Sequence, residues 1–205
     1  TTMARKDTLI KLKEKERAIR QSLIIEAARQ VFGKKTYDMV SMVEIANAAG
    51  IAKSSIYTYF KSQEELYAQV VYQDAGLFIK ELKNRVQDKE PVKKAIEYFL
   101  DYYITHEAQW RMITHFALHG NKDLGSVDRL NKIGRELMDV FDAIFIYLDA
   151  KIDTRLLSHT LFSCLSGVLI AFRNYPGRSE EERVIHMKKI GSLIESMITA
   201  LVNES

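Results

Sequence analysis

Apolar residues recur three and four positions apart along almost the whole chain. This spacing is typical of amphipathic α-helices, whereas a β-strand would alternate apolar and polar residues. Only two prolines and nine glycines interrupt the 205 residues. The pattern therefore predicts an all-α protein of about nine helices without strands.

Capping signals, prolines and glycines set the predicted helix boundaries. A serine followed three residues later by glutamate can form a capping box at a helix start, and such pairs occur at three predicted starts, Ser41, Ser62 and Ser179. Two short helices follow Ser41. The other predicted helices cover about residues 8–32, 62–86, 91–105, 108–118, 126–148, 154–174 and 179–202.

The segment 41–66 has the pattern of a helix-turn-helix. Its first helix presents apolar Ile45 on one face, and Gly50 follows where the chain must turn sharply. Glycine tolerates the positive φ that such a turn often needs. Ile51 and Ile56 then return to the small core. The second helix is thereby braced from behind, as a DNA recognition helix requires.

Hydrogen-bond donors and flat rings remain on the outer face of this second helix. Lysines suit phosphate oxygens, and phenol rings suit sugars, thymine methyls and phosphates. We predict DNA contacts from Ser41, Lys53, Ser54, Ser55, Tyr57, Thr58, Tyr59 and Lys61. For Tyr59, packing inward beside Phe60 is the alternative. Arg5 and Lys6 are interpreted as residues before the first helix, either a minor-groove arm or a basic tail.

Charge is distributed unevenly along the chain. Residues 1–62 contain 12 basic and 6 acidic residues, a formal charge of +6, and residues 63–205 contain 18 and 21, a charge of −3, which together give the +3 of the chain. A basic head on a mildly acidic body favours contact with a phosphate backbone. We predict a DNA-binding domain at 1–62 and a second helical domain at 63–205.

The N-terminal third of the chain resembles the DNA-binding domain of the tetracycline-repressor (TetR) family of bacterial regulators. The resemblance rests on Ile25-Glu26-Ala27-Ala28, Val31-Phe32, Tyr37, Ser41-Met42, Ile45-Ala46, Ala49-Gly50-Ile51, Ile56-Tyr57, Tyr59-Phe60, Lys61-Ser62 and Glu64-Glu65-Leu66. The chain departs from the family pattern at four positions. Thr36 stands where the family usually has glycine, Ala52 replaces a common serine, Ser54 a common glycine, and Gln63 a lysine that often touches phosphate. The resemblance implies an effector pocket in the body and a dimer formed by the last two helices.

Aromatic and methionine side chains are dense in the body. Each can belong to an ordinary core, but as a set they suit an apolar or amphipathic ligand. The predicted pocket comprises Phe99, Tyr103, Trp110, Ile113, Phe116, Met138, Phe141, Phe145 and Phe162. Arg111 and Arg135 are candidates for an anionic group of the ligand or for surface ion pairs. His115 and His119 have a metal-binding spacing, but no third ligand is evident, so no metal is predicted.

The last two predicted helices are unusually apolar. Their apolar residues can form the core of one chain or a four-helix bundle between two chains, and the family resemblance implies the bundle. The predicted dimer interface comprises Cys164, Gly167, Val168, Ala171, Ile190, Ile194, Met197, Ile198 and Leu201.

The chain carries no recognisable catalytic motif, so we predict neither an enzyme nor a cofactor. Its single cysteine excludes a disulfide within the chain and fits the cytoplasm, and we expect that no apolar run approaches the ~20 residues that a membrane span needs. We predict a homodimeric repressor that a small apolar or amphipathic effector releases from a palindromic operator. An all-helical enzyme and an interaction module that does not touch DNA are the alternatives.

Overall fold

The computed structural model describes the backbone of residues 2–87, 89–119 and 124–203, and their side chains except those of residues 2–6 and 116–127. Within these residues the chain forms nine α-helices, one short 3-10 helix at Tyr37–Met39 and no strand, which confirms the all-α prediction. The α-helices are α1 (Thr2–Lys34), α2 (Met42–Ala48), α3 (Lys53–Ile56), α4 (Gln63–Arg85), α5 (Pro91–Thr105), α6 (Glu107–His119), α7 (Leu124–Tyr147), α8 (Thr154–Phe172) and α9 (Glu180–Asn203).

Helix starts agree with the capping signals. The Ser41, Ser62 and Ser179 hydroxyls each accept a hydrogen bond from the amide three residues later. Asp153 likewise accepts from the Leu156 amide at 3.0 Å, and Pro91 occupies the first turn of α5. These side chains satisfy amides that a helix start leaves without partners, so local sequence determined where these helices begin.

Two boundaries differ from the sequence prediction. Helix α1 begins at Thr2, so the backbone of Arg5 and Lys6 is helical, and the prediction that they precede the helix is wrong. Helix α3 has only four residues and ends at Ile56, so Tyr57, Thr58 and Tyr59, which were predicted to lie on this helix, follow it instead. Gly120-Asn121, the predicted end of α6, lies outside the described residues.

The chain divides into two compact units, the first of which contains Thr1–Gln73 and Arg111–Arg129. Its core consists of fully buried apolar side chains from α1, α2, α3 and α4. The largest of them are Ile24, Phe32, Ile45, Ile56 and Leu66. Compactness thus assigns part of α6 to the same unit as the N-terminal helices. The functional domain boundary between 62 and 63 is a different division and stays a prediction.

The second unit contains Asp74–Trp110 and Leu130–Ser205. Within it, α9 packs closely against α5: a Cβ added at Gly191 would lie 2.6 Å from Leu100 Cδ1. Lys188 of α9 also forms a 2.7 Å ion pair with Asp101 of α5. The small residue at 191 therefore allows the two helices to approach.

Helix α8 corrects one expectation. By length and composition it is apolar enough to cross a membrane, with a mean hydropathy of 1.5 over its most apolar window, so the prediction that no run approaches a span is wrong. Short polar residues such as Ser163 and Ser166 lower the hydropathy of this helix too little to offset its leucines. A single helix of this kind is weak evidence of a membrane, because buried core helices share the property.

Candidate nucleic-acid interface

Helix α2 is anchored by its cap and by one ion pair. Ser41 accepts a hydrogen bond from the Glu44 amide at 3.2 Å. The Glu44 carboxylate does not complete the capping box. It forms a 2.6 Å ion pair with Lys35, which joins α2 to the end of α1.

Gly50 produces the turn between α2 and α3. Its φ is +68°, in the left-handed region that glycine adopts without steric cost. The Gly50 amide donates to the Asn47 carbonyl at 3.1 Å and the Ile51 amide to the Ala46 carbonyl at 3.0 Å. These two bonds form a Schellman motif, which satisfies the last carbonyls of α2 and reverses the chain. The predicted glycine turn is present.

The recognition segment consists of α3 and the turns that follow it. The Thr58, Tyr59 and Phe60 amides donate to the Ser55 and Ile56 carbonyls at 3.0–3.1 Å, so tight turns extend α3 to Phe60. Ile56 is fully buried and Phe60 is 4% exposed. These two apolar side chains anchor the segment and direct the residues between them outward.

The predicted DNA contacts fall into two groups. Seven of the eight side chains lie fully or partly at the surface of the unit as predicted, and the one ring among them, Tyr57, is 48% exposed. They are Ser41, Lys53, Ser54, Ser55, Tyr57, Thr58 and Lys61. Tyr59 differs, because its half-buried ring packs against α1, where the Arg17 guanidinium lies 5.5 Å from the ring centroid.

A ring cluster braces the helix-turn-helix from behind. Tyr67 packs edge-to-face on Phe32 at 4.6 Å and on Tyr37 at 4.9 Å, and the Tyr37 ring lies 4.8 Å from that of His115. Burial raises the pKa of Tyr67 far above its usual range, and burial also raises that of Tyr37. Both phenols therefore remain neutral and act as packing groups.

Arg111 has a structural role that the sequence did not reveal. Its guanidinium donates to the Phe32 and Gly33 carbonyls at 3.2 and 2.9 Å, near the end of α1. A cation at a helix C-terminus also interacts favourably with the helix dipole. Arg111 therefore fixes the end of α1. The exposed Arg135 on α7 gives the prediction of a ligand contact no support.

Two departures from the family pattern have local explanations. Gln63 donates from its side-chain amide to the Tyr37 carbonyl at 2.9 Å, so it links α4 to the 3-10 helix. Thr36 adopts extended backbone, with φ of −71° and ψ of 157°, and its carbonyl accepts from the Met39 amide. The turn before Tyr37 therefore does not require a glycine.

The predicted pocket residues occupy both units and are mostly buried. In the second unit Phe99 packs edge-to-face on Tyr103 at 5.0 Å and on Trp110 at 6.0 Å. Met138, Phe141 and Phe145 are also buried, and Phe162 is partly buried. Ile113 belongs to the first unit, and the side chain of Phe116 lies outside the described residues. The rings form a packed cluster, and their role as a ligand site stays a prediction.

The predicted interface residues lie on two sides of α8 and α9. Val168, Ile194 and Ile198 are buried within their own chain, and Cys164 and Ile190 are partly buried. Gly167, Ala171, Met197 and Leu201 are exposed. Exposed Leu156, Ile170 and Leu193 extend this second group, although the sequence prediction did not include them.

Among the described residues no group of three or more histidine, cysteine, aspartate or glutamate side chains is arranged to hold a metal ion. His115 packs on Tyr37 and Tyr67, which accounts for its position without a metal.

Comparison with known proteins agrees with this geometry. Residues 24–70 match the family described as bacterial regulatory proteins, tetR family. An HTH-type transcriptional regulator of Staphylococcus aureus (strain bovine RF122 / ET3-1) is 26% identical over 150 residues, which are 73% of this chain and 80% of that protein.

Two solved structures share the fold. The transcriptional regulator FadR from Bacillus subtilis, in complex with stearoyl-CoA, has a TM-score of 0.70 and 20% identity, over 85% of this chain and 97% of FadR. AibR, in complex with isovaleryl coenzyme A and operator DNA, has a TM-score of 0.64 and 18% identity, over 86% of this chain and 98% of AibR.

The all-α fold, the helix-turn-helix and the named relatives together define a DNA-binding transcriptional regulator rather than an enzyme. The match over residues 24–70 confirms the resemblance to the TetR family that was inferred from the N-terminal residues.

Proposed function

We propose that this protein is a cytoplasmic, homodimeric repressor that binds a palindromic operator and is released by an amphipathic effector. The observation that carries the proposal is the recognition segment. Its buried Ile56 and Phe60 present Lys53, Tyr57 and Thr58 to solvent in a rigid arrangement. A short helix of donors and rings, braced from behind, suits the major groove.

Lysine and tyrosine have separate roles in this interface. Lys53 and Lys61 neutralise backbone phosphates, so Lys53→Ala and Lys61→Ala should each weaken binding to every duplex and make the salt dependence shallower by about 0.9 for the phosphate that is no longer neutralised. Lys80 on α4 is an exposed lysine outside the interface, and Lys80→Ala is the matched control. Fluorescence anisotropy of labelled duplexes at several salt concentrations measures these slopes. If the salt dependence of binding has the same slope in all three variants, neither Lys53 nor Lys61 contacts a phosphate.

Tyr57 provides the sequence-dependent part of the contact. Tyr57→Phe removes only the hydroxyl and should cost roughly 1 kcal/mol of binding free energy, as for one hydrogen bond. Tyr57→Ala removes the ring as well and should cost more. Wild-type affinity of a folded Tyr57→Ala variant for a selected duplex would exclude this role.

The exposed apolar faces of α8 and α9 form the dimer interface in this proposal. Leu193, Met197 and Leu201 recur every four residues on α9, and Gly167 lies on α8 with open space around it. Two such helices from each chain can assemble into a four-helix bundle, which would bury this surface. Dimerisation also allows two recognition segments to bind two half-sites.

The interface proposal predicts different outcomes for neighbouring α9 residues. Met197→Asp should give folded monomers, because a charge would enter an apolar seam. Thr199→Asp introduces the same charge at an exposed position about 200° around the helix and should remain dimeric. Ile194 is only 8% exposed within the chain, so Ile194→Asp should destabilise the subunit itself. Sedimentation velocity decides between these outcomes, and a dimeric Met197→Asp protein would place the interface elsewhere.

The effector is proposed to be an amphipathic acyl compound that binds among the aromatic residues of the body. FadR and AibR were each solved with an acyl-CoA, which makes that class the first to test. Helix α4 contains residues of both units, so a shift of α4 can connect effector binding to the spacing of the recognition segments. The effector must then prefer the conformation that does not fit DNA.

Linkage provides the test of the effector. A compound that weakens duplex binding by some factor must itself bind more weakly by the same factor when the duplex is present. Trp110 is the single tryptophan, so its fluorescence can report titrations of acyl-CoAs with and without a selected duplex. A compound that binds with equal affinity in both titrations is not the effector, and one that tightens duplex binding would make the protein a co-repressor-dependent regulator.

A further inference from the structure

A basic cleft lies beside the recognition segment, within the first unit. It is an open space of about 410 Å³ lined by Lys13, Glu16, Arg17, Arg20 and Tyr59. Four of these residues come from α1 and precede the region that matches the tetR family, which begins at residue 24. The three cations exceed the single carboxylate, so the lining carries a net charge of +2 at neutral pH.

Arg17 connects this cleft to the recognition segment. One of its terminal nitrogens donates to the Thr58 carbonyl at 3.3 Å, and its guanidinium carbon lies 5.5 Å from the centroid of the Tyr59 ring. A guanidinium has five N–H donors, so the Thr58 contact leaves most of them available to an anion in the cleft. The Tyr59 ring also orients the guanidinium plane.

The acidic residue in the lining does not cancel this charge. Arg20 forms a 2.7 Å ion pair with Glu16, and both side chains are more than half exposed. The pKa of Arg20 is raised, chiefly because it donates to Glu16 and to a smaller extent because of the Tyr59 hydroxyl. Among the described residues neither Lys13 nor Arg17 forms an ion pair, so both remain available to an anion in the cleft.

We propose that this cleft binds a backbone phosphate of the DNA duplex, outside the contacts of the helix-turn-helix itself. The proposal rests on the proposed function, because it requires Tyr57 and Thr58 to face the DNA. Tyr59 follows them directly, so a groove read by Tyr57 brings its flanking phosphates to the side on which α1 lies. Arginine and lysine with a phenol hydroxyl are the donor set that a phosphodiester prefers.

The proposal also assigns Tyr59 a different role from the one predicted. Its ring does not read a base edge. It supports Arg17, and its hydroxyl, which lies near Arg20, is available to donate to the phosphate. Tyr59→Phe should therefore lower the affinity for all duplexes by a similar factor. Tyr57→Ala should lower the affinity for the selected duplex more than that for other duplexes.

The decisive variant is the double substitution Lys13→Gln and Arg17→Gln. The probes are a labelled duplex selected by the wild-type protein from a random-sequence library and the same duplex scrambled. Removal of one phosphate contact should reduce the salt slope by about 0.9, so the ratio of affinities at 50 and 200 mM salt should fall by a factor of about 3.5, which is 4 to the power 0.9. The reduction should be the same for both duplexes, because a phosphate contact carries no sequence information.

The matched control is Lys11→Gln with Lys15→Gln, which removes the same charge from exposed positions of α1 that do not line the cleft. Its salt slope should equal that of the wild-type protein. An equal reduction in both double variants would overturn the cleft in favour of diffuse attraction by α1, and no reduction in either would overturn it outright. Absence of duplex binding by the wild-type protein is the separate result that refutes the proposed function.

A second arm distinguishes DNA from a free anion. Inorganic phosphate is titrated against the wild-type protein at constant ionic strength, and chemical shifts of the Arg17 and Tyr59 side chains are followed. The proposal expects weak, unsaturated changes, because one phosphate ion lacks the rest of the duplex. Saturable binding below millimolar phosphate, together with an unchanged salt slope in the Lys13/Arg17 variant, would identify a small-anion site and overturn the DNA assignment.

Discussion

Substitution of Gly50 by alanine isolates the contribution of the turn that orients the recognition segment. Gly50 has a φ of +68°, and a Cβ added there would meet no atom within 4 Å. The variant therefore suffers no packing clash, and its cost comes from the backbone conformation alone. A non-glycine residue in the left-handed region costs roughly 1–2 kcal/mol, a substantial part of a stability of about 5–15 kcal/mol.

Gly76 provides the matched control. It lies inside α4, and a Cβ added there would likewise meet no atom within 4 Å. Since glycine is unfavourable in a helix interior, Gly76→Ala should stabilise the protein by roughly 0.5–1 kcal/mol. The same chemical change is thus expected to have opposite signs at the two sites, with a difference of about 1.5–3 kcal/mol.

Urea unfolding at one fixed protein concentration measures both variants, because the stability of an oligomer depends on concentration. Gly50→Asn should be less destabilised than Gly50→Ala, since asparagine adopts the left-handed region more readily. A Gly50→Ala protein as stable as Gly76→Ala would refute the argument that the turn conformation determines the cost. Equal stability of the Asn and Ala variants at position 50 would also contradict it.

Two further predictions concern stability. Arg111→Met keeps a long side chain but leaves the Phe32 and Gly33 carbonyls without this donor, and urea unfolding should show a decrease of about 1–3 kcal/mol in the free energy of unfolding. Glu182, by contrast, has a pKa lowered mainly by the hydrogen bond from the Ser179 amide. The contribution of its carboxylate to the stability of the protein is therefore present above the ordinary carboxyl pKa and is lost as the pH falls through the lowered pKa. Glu182→Gln should therefore flatten the acid side of the stability profile, and an unchanged profile would exclude the Ser179–Glu182 contact as a pH-dependent cap.

The helix-turn-helix was predictable because its signals are local. Ser41 caps α2 three residues before Glu44, and Gly50 lies where the two bonds of the Schellman motif require a positive φ. Both signals depend only on neighbouring residues and backbone geometry. The buried Ile56 then follows from helix periodicity, and with it the outward direction of Tyr57.

Contacts between distant residues were not predictable from the pattern. Glu44 could complete its capping box or bind a lysine, and only the fold brings Lys35 within 2.6 Å. Arg111 lies 78 residues from the Gly33 carbonyl to which it donates, and nothing near it in the sequence indicates that partner.

In helix α9 the sequence pattern does not separate core residues from surface residues, because apolar residues occupy two of its sides. The buried series includes Ile194 and Ile198, and the exposed series includes Leu193 and Met197. All four are of similar hydrophobicity, so periodicity predicts a helix but does not distinguish the subunit core from the proposed interface. Only packing against the rest of the chain separates them.

The central claim is that two recognition segments of a dimer bind one operator, and selection of duplexes from a random-sequence library tests it most directly. The wild-type protein should enrich an inverted repeat whose half-site centres lie about 34–36 Å, one helical turn, or a whole multiple of it apart. The Met197→Asp variant should enrich single half-sites weakly. Failure of the wild-type protein to enrich any sequence, or enrichment of unpaired half-sites by both proteins, would contradict the account.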